Sequence, residues 1–452
     1  MRTAVVIGAG IGGLAAARAL VRRGWRVQVL ERARALESVG AGLAVAPNAL
    51  RALDVLGLGD AVRARGAIGA AGIRTWRGRW LLPTDADAMR ERFGDTIVVL
   101  PRAELMDLLG GGPVAGLVHT STEAVLTDPG GPDRPARVTA DGREWTADLV
   151  VAADGVRSRT RESLWLQRPP KNPGPVYSGT TAWRLLAPRV TVEEASESWG
   201  PEGLVGVMPL AAGGTYFYAM ARVPAGTPSR PGDHHEHAEL VRRFGHWHDP
   251  IPDVLADADP GAVLRNDVWH SRPVTRRRPS RALRARTGFH PQQTPPAQHS
   301  RPVARHRPPR ALRARTGFHP QRTPPAQHSP DAPPAYHRGR VAVLGDAAHA
   351  MTPNLGQGAC MALEDAVTLA HAVGEGSADT DLPEALAAYT AARLPRADAV
   401  VRRSAAVGRM STLRNPVARV LRDAGVGLVG RVAPSLFYGP VEATFDWCPP
   451  TG

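Results

Sequence analysis

The feature that most constrains this chain is its opening, where an apolar run from Arg2 to Ile7 ends in GAGIGG, with Gly8, Gly10 and Gly13 at fixed spacing. A helical pattern follows from Gly12 to Arg23, then a second apolar strand from Arg26 to Glu31. The spacing predicts a βαβ unit. The first glycine makes a tight turn, the second lets backbone N–H groups approach a pyrophosphate at the positive helix end, and the third permits close packing of helix on strand. Glu31 lies 18 residues beyond Gly13, at the end of the second strand, where an acid accepts hydrogen bonds from an adenosine ribose. Together these features predict a dinucleotide site.

The same stretch superficially resembles a signal peptide, but its spaced glycines and Arg18 within the apolar run argue for a buried strand and helix. No window reaches the apolar length of about 18 to 20 residues that a membrane span needs. Cys360 and Cys448 are the only cysteines, too few for a disulfide framework and not placed with histidines at metal-ligand spacing. A reducing cytoplasm and no metal are the expectation.

A net charge of +14 suggests nucleic acid until it is located. Residues 272–340 carry 16 arginines and one acid, a surplus of 15, which leaves the rest of the chain at −1. The same segment repeats itself: Arg281 to Ser300 recurs at Arg310 to Ser329, offset by 29 residues, with Gln293 replaced by Arg322. Two Pro- and Arg-rich copies with few large apolar residues do not supply a core, so 276–335 reads as a disordered insert. Phe289 and Phe318 are its only aromatics, which argues against a nucleic-acid surface built on base stacking.

Elsewhere strands and helices alternate. Helices are expected at Pro47 to Leu56 and Arg102 to Leu109, and β-rich pieces between Tyr177 and Val223. Further helices are expected from about Gly356 to Val373, Leu382 to Gly408 and Asn415 to Leu428. Two more motifs end buried strands: DLVVAADGVRS, with Asp154 and Gly155, and RVAVLGDAAHAMTPNLGQGACMALEDA, with Gly345, Asp346, Pro353 and Gly356-Gln357-Gly358. Ligands sit at such carboxyl ends of strands.

The three motifs in this order resemble the para-hydroxybenzoate-hydroxylase-like flavoprotein monooxygenases, in particular the branch with salicylate hydroxylases, urate hydroxylases and zeaxanthin epoxidases. The resemblance covers nearly all of the chain except about 276–335. It implies an α/β fold: a Rossmann-like, GR2-type FAD-binding domain (1–70, 96–165 and 336–375) with an inserted β-rich substrate domain (71–95 and 166–275). A C-terminal helical region (376–452) follows. It further implies that Gly8, Gly10, Gly12, Gly13, Glu31 and Arg32 serve the AMP half of FAD, and that Arg102 and Asp346, with Gly345, serve the ribityl-pyrophosphate chain. Pro353, Gly356, Gln357 and Gly358 would line the isoalloxazine. Asp154 and Gly155 are tied to both FAD and the nicotinamide cofactor. Trp183, Arg184, Tyr216 and Tyr218 fall on the layer where such enzymes bind substrate, although a core tryptophan is an equally good reading of Trp183.

The chemistry implied is reduction of FAD by NADH or NADPH, addition of O2 to form a flavin 4a-hydroperoxide, and hydroxylation or epoxidation of an aromatic or polyene-like small molecule. A flavin halogenase would need an active-site lysine, and the only lysine is Lys171 in a Pro-rich stretch. A dehydrogenase or oxidase without oxygen transfer uses the same cofactor motifs and stays open.

Overall fold

The computed structural model describes residues 1–36, 42–68, 71–165, 174–226, 234–271, 335–377, 380–432 and 442–451. Lys171 and both repeat copies lie outside these residues.

The first layer is a six-stranded sheet in the order His337–Arg338, Val341–Val343, Leu149–Ala152, Thr3–Ile7, Arg26–Leu30, Val118–His119. Its neighbours are parallel except for the first pair, which is antiparallel. Parallel strands are buried on both faces, which is why they read as continuous apolar runs. Ala4, Val6, Val29 and Val151 point into one core with Leu14, Leu50, Leu363 and Leu386 from four helices: Ile11–Arg22, Pro47–Val55, Gly358–Val373 and Leu382–Ser411. Val5, Ile7, Val150 and Val343 point into a second core. That core is closed by the antiparallel strands Val125–Asp128, Ala136–Ala140 and Arg143–Ala147 and by the helix Arg159–Trp165.

The second layer is a seven-stranded sheet in the order Leu264–His270, Val176–Ala187, Thr215–Ala221, Leu204–Pro209, Ala195–Trp199, Ala71–Thr75, Trp80–Leu82. Side chains alternate between its faces. Trp183, Leu185, Val207 and Phe217 pack on the helices His235–Phe244 and Ile251–Asp257, whereas Arg184, Glu197, Tyr218 and Met220 face a cavity. The strand Ala195–Trp199 falls within the β-rich stretch expected between Tyr177 and Val223, whereas the pair at 71–82 and both helices had no counterpart among the elements read from the sequence.

Helical residues beyond 376 join the first core. Asp381 caps the helix Leu382–Ser411 by accepting the Glu384 N–H, and Leu386, Tyr389, Ala397 and Val400 belong to the first core. Tyr389 donates its hydroxyl to the Val343 carbonyl at 3.1 Å, fastening that helix to the sheet beneath the third motif.

Candidate active site

The glycine turn is shaped by contacts that no other residue satisfies. Gly8 has φ +100°, and a Cβ there would lie 2.5 Å from the Ala153 carbonyl oxygen. A Cβ on Gly13 would sit 1.9 Å from the Gly8 oxygen, and one on Gly12 would meet a Leu344 methyl at 2.8 Å. Gly10 differs, since a Cβ there would meet nothing within 4 Å and Gly10 lines the cavity. Its bare backbone opens at the N-terminus of the helix Ile11–Arg22, as approach by a phosphate requires. Glu31 accepts the Ala9 N–H at 2.7 Å and the Ala33 N–H at 2.9 Å, tying the second strand to the turn. Glu31 and the exposed Arg32 lie outside the cavity lining.

In the second motif the Asp154 carboxylate is spent locally: it accepts the Ser158 hydroxyl and the Thr160 N–H and so caps the helix Arg159–Trp165. Gly155, with φ +80°, lines the cavity. The residue that joins this motif to the third is Arg161, which the sequence reading missed. Buried, it donates to the Val156 carbonyl at 2.8 Å and the Ala347 carbonyl at 2.7 Å. In sequence it is one arginine among several in DGVRSRTR, and only its burial sets it apart.

The third motif brings Gly345, Asp346, Pro353, Gly356 and Gly358 to the cavity wall. The Asp346 side chain is open to the cavity, and the protein enclosing it still pushes its carboxyl up, against the pull of His349, Arg102 and Arg161. Arg102, also open to the cavity, is lowered by the desolvation its surroundings impose and drawn back up by Asp346. Gly356 takes φ +64° at the end of the turn Pro353–Leu355. Gln357 goes the other way: its buried side chain accepts a hydrogen bond from the Asn48 amide at 3.0 Å, outside the lining.

Behind this wall lies a buried ionic network whose pairs no local sequence pattern announces. Arg393 reaches Asp365 and Glu364 at 2.6 Å each, Arg396 reaches Glu364 at 2.6 Å, and His349 Nε2 meets Asp365 at 2.6 Å. Asp365 also accepts the Gly345 N–H at 2.9 Å, so the network fixes the loop that presents Asp346. Burial would raise Asp365, but His349 and Arg393 hold it well below the usual carboxylate range. The same pairing raises His349 despite its burial.

The cavity measures about 1000 Å³, at the upper end for small-molecule sites and large enough for a cofactor with a substrate. Its far wall is the seven-stranded sheet, with Arg184, Tyr216 and Tyr218 in the lining. Trp183 corrects the reading that made it a substrate residue: strand alternation turns it to the opposite face, where its indole N–H donates to Glu236 at 2.6 Å in the helix-packed core. Glu197, missed in the sequence, takes a place in the wall instead. Among the described residues, no group of three His, Cys, Asp or Glu side chains is arranged to hold a metal ion.

Bare backbone at Gly10, Gly155 and Gly358, with Asp346 and Arg102 beside it, fits the phosphate, ribityl and ring portions of FAD. A largely parallel sheet with such a cradle, sharing its cavity with a largely antiparallel sheet, defines an FAD-dependent oxidoreductase. The FAD binding domain family model matches residues 1–242 and 246–404. The chain is 33% identical over 428 residues to the aurachin C monooxygenase/isomerase of Stigmatella aurantiaca, covering 93% of this chain and 92% of that protein. It is 30% identical over 431 residues to a 3-amino-4-hydroxybenzoate 2-monooxygenase of Streptomyces platensis, covering 92% and 90%. In fold it matches Klebsiella pneumoniae HpxO complexed with FAD and uric acid, with TM-score 0.74, 24% identity and coverage of 98% and 96%. The chain belongs to the FAD binding domain family, within its FAD-dependent aromatic hydroxylase branch. It is an FAD-dependent monooxygenase.

Proposed function

We propose that this monooxygenase takes electrons from NADH or NADPH and transfers one atom of O2 to an aromatic or polyene-like small molecule. The observation that carries the reading is the single cavity running from the bare glycines and Asp346 to the sheet wall with Arg184 and Tyr218. FAD, when bound, supplies the hydride acceptance and oxygen activation that no side chain provides.

The chain's own residues bind, orient and exclude water. The Gly10 backbone and the N-terminus of the helix Ile11–Arg22 serve the pyrophosphate, Glu31 the ribose, and Arg102 and Asp346 the ribityl chain. Pro353, Gly356 and Gly358 serve the isoalloxazine. Arg184, Tyr216 and Tyr218 orient substrate, while Met208, Met220 and Val268 keep the far end apolar and poor in water. Two relatives named as monooxygenases favour oxygen transfer over a simple dehydrogenase, and one acts by name on a hydroxybenzoate. Both cysteines are free, which fits work in the cytoplasm.

The test is NAD(P)H oxidation by the holoenzyme with a panel of phenols, quinones and polyenes. At least one should accelerate oxidation well above the rate without substrate. A rate indifferent to every member would favour a reductase or oxidase.

A further inference from the structure

Glu197 is a carboxyl group in the substrate half of the cavity with no cation within ion-pair distance among the described residues. It occupies a cross-strand row in which Leu264, Arg184, Tyr218, Gly206, Glu197, Ile73 and Leu82 stand side by side across all seven strands. Gly206 is essential to the row. A Cβ on it would lie 2.0 Å from the Tyr218 ring, so the ring crosses bare backbone and its hydroxyl reaches Glu197 Oε2 at 2.8 Å. The Trp199 indole N–H donates to Oε1 at 2.5 Å. Arg184, three strand spacings away at roughly 14 Å, is too far to neutralise the carboxyl. It donates to the Asn266 side-chain oxygen at 2.8 Å instead.

Two neutral donors do not offset the desolvation of a carboxylate, which costs several kcal/mol in such a setting. Burial accordingly pushes the Glu197 carboxyl up, against its bonds from Trp199 and Tyr218. A carboxylate has about four acceptor positions, and each oxygen here uses one within the protein. The surrounding wall of Ile73, Leu82, Met208 and Met220 is apolar.

We infer that Glu197, braced by Tyr218 and Trp199, accepts a hydrogen bond from a phenolic O–H or ring N–H of the substrate and so selects protic aromatic rings. The hydrogen bond moves electron density onto the donor atom and its ring, the polarity that an electrophilic oxygen needs. This rests on the proposed function for its meaning, but not for its test.

The test titrates FAD-loaded protein with paired probes and follows perturbation of the flavin absorbance, with no turnover: 2-naphthol against 2-methoxynaphthalene, and indole against N-methylindole. Titrated above the pH at which the raised Glu197 carboxyl ionises, wild type should bind the protic member of at least one pair about tenfold or more tighter, the range of a hydrogen bond to a charged acceptor. Glu197→Gln, with FAD content unchanged, should shrink that gap about fivefold or more, as a charge-assisted bond becomes a neutral one. No protic preference in wild type, no binding of either pair, or a gap that survives Glu197→Gln would overturn the inference. Substrate-stimulated NAD(P)H oxidation alongside any of those results would leave the proposed function standing and remove only Glu197.

Discussion

Gly13 faces Gly8 so closely that a methyl on Gly13 would stand 1.9 Å from the Gly8 carbonyl oxygen. Gly10, two residues after Gly8, has open space where its side chain would be. The glycines of one motif therefore do two jobs. Gly13→Ala should destabilise the fold by about 1 to 3 kcal/mol, the usual cost of overpacking, and lose flavin with it. Gly10→Ala should keep its melting temperature and still bind FAD poorly. Thermal melts and flavin content of the two variants check this, and equal melting losses would contradict the division.

Asp346 stands at the cavity wall facing Arg102 and Arg161. Removing a charge-assisted hydrogen bond costs about 1.5 to 3 kcal/mol, roughly 10 to 150-fold in affinity. Asp346→Ala should weaken FAD binding within that range, measured by flavin fluorescence titration. Unchanged affinity would take Asp346 out of the site.

The buried network predicts a pH signature. The Asp365 carboxyl is depressed in the folded chain, so its contribution is present above the ordinary carboxylate value near 4 and fades as pH falls toward the folded value. Asp365→Asn should therefore cost about 3 to 5 kcal/mol near neutral pH, as breaking one side of a buried pair does. The gap between wild type and variant should narrow below about pH 4. Denaturant unfolding at several pH values reads it, and a gap that widened with acid would contradict the assignment.

The cofactor half was legible because its signals are local. A glycine before a helix, an acid at a strand end and a Pro-Gly turn carry their conformations within a few residues. The buried network and the sheet wall of the cavity depend on pairings between distant segments. Arg393 meets Asp365 across 28 positions, and Tyr218 reaches Glu197 across 21 through a gap left by Gly206. Trp183 and Arg184 show the limit well. Alternation says that they face opposite ways, but the inner face is decided by the helices His235–Phe244 and Ile251–Asp257, whose packing no local pattern announces.

Every described residue of the cavity wall lies at or before residue 269 or at or after residue 344. Deleting Arg276 to Ala335, which removes 13 arginines and one acid, should lower the isoelectric point sharply and leave FAD binding intact. A soluble deletion product unable to hold flavin would show that the repeat segment is needed for the fold.

The central claim is oxygen transfer, and isotope labelling tests it most directly. Turnover of the physiological substrate with NAD(P)H under labelled O2 should place one labelled atom in the organic product and the other in water. Hydrogen peroxide together with an unlabelled product would contradict the account and leave an oxidase or dehydrogenase in its place.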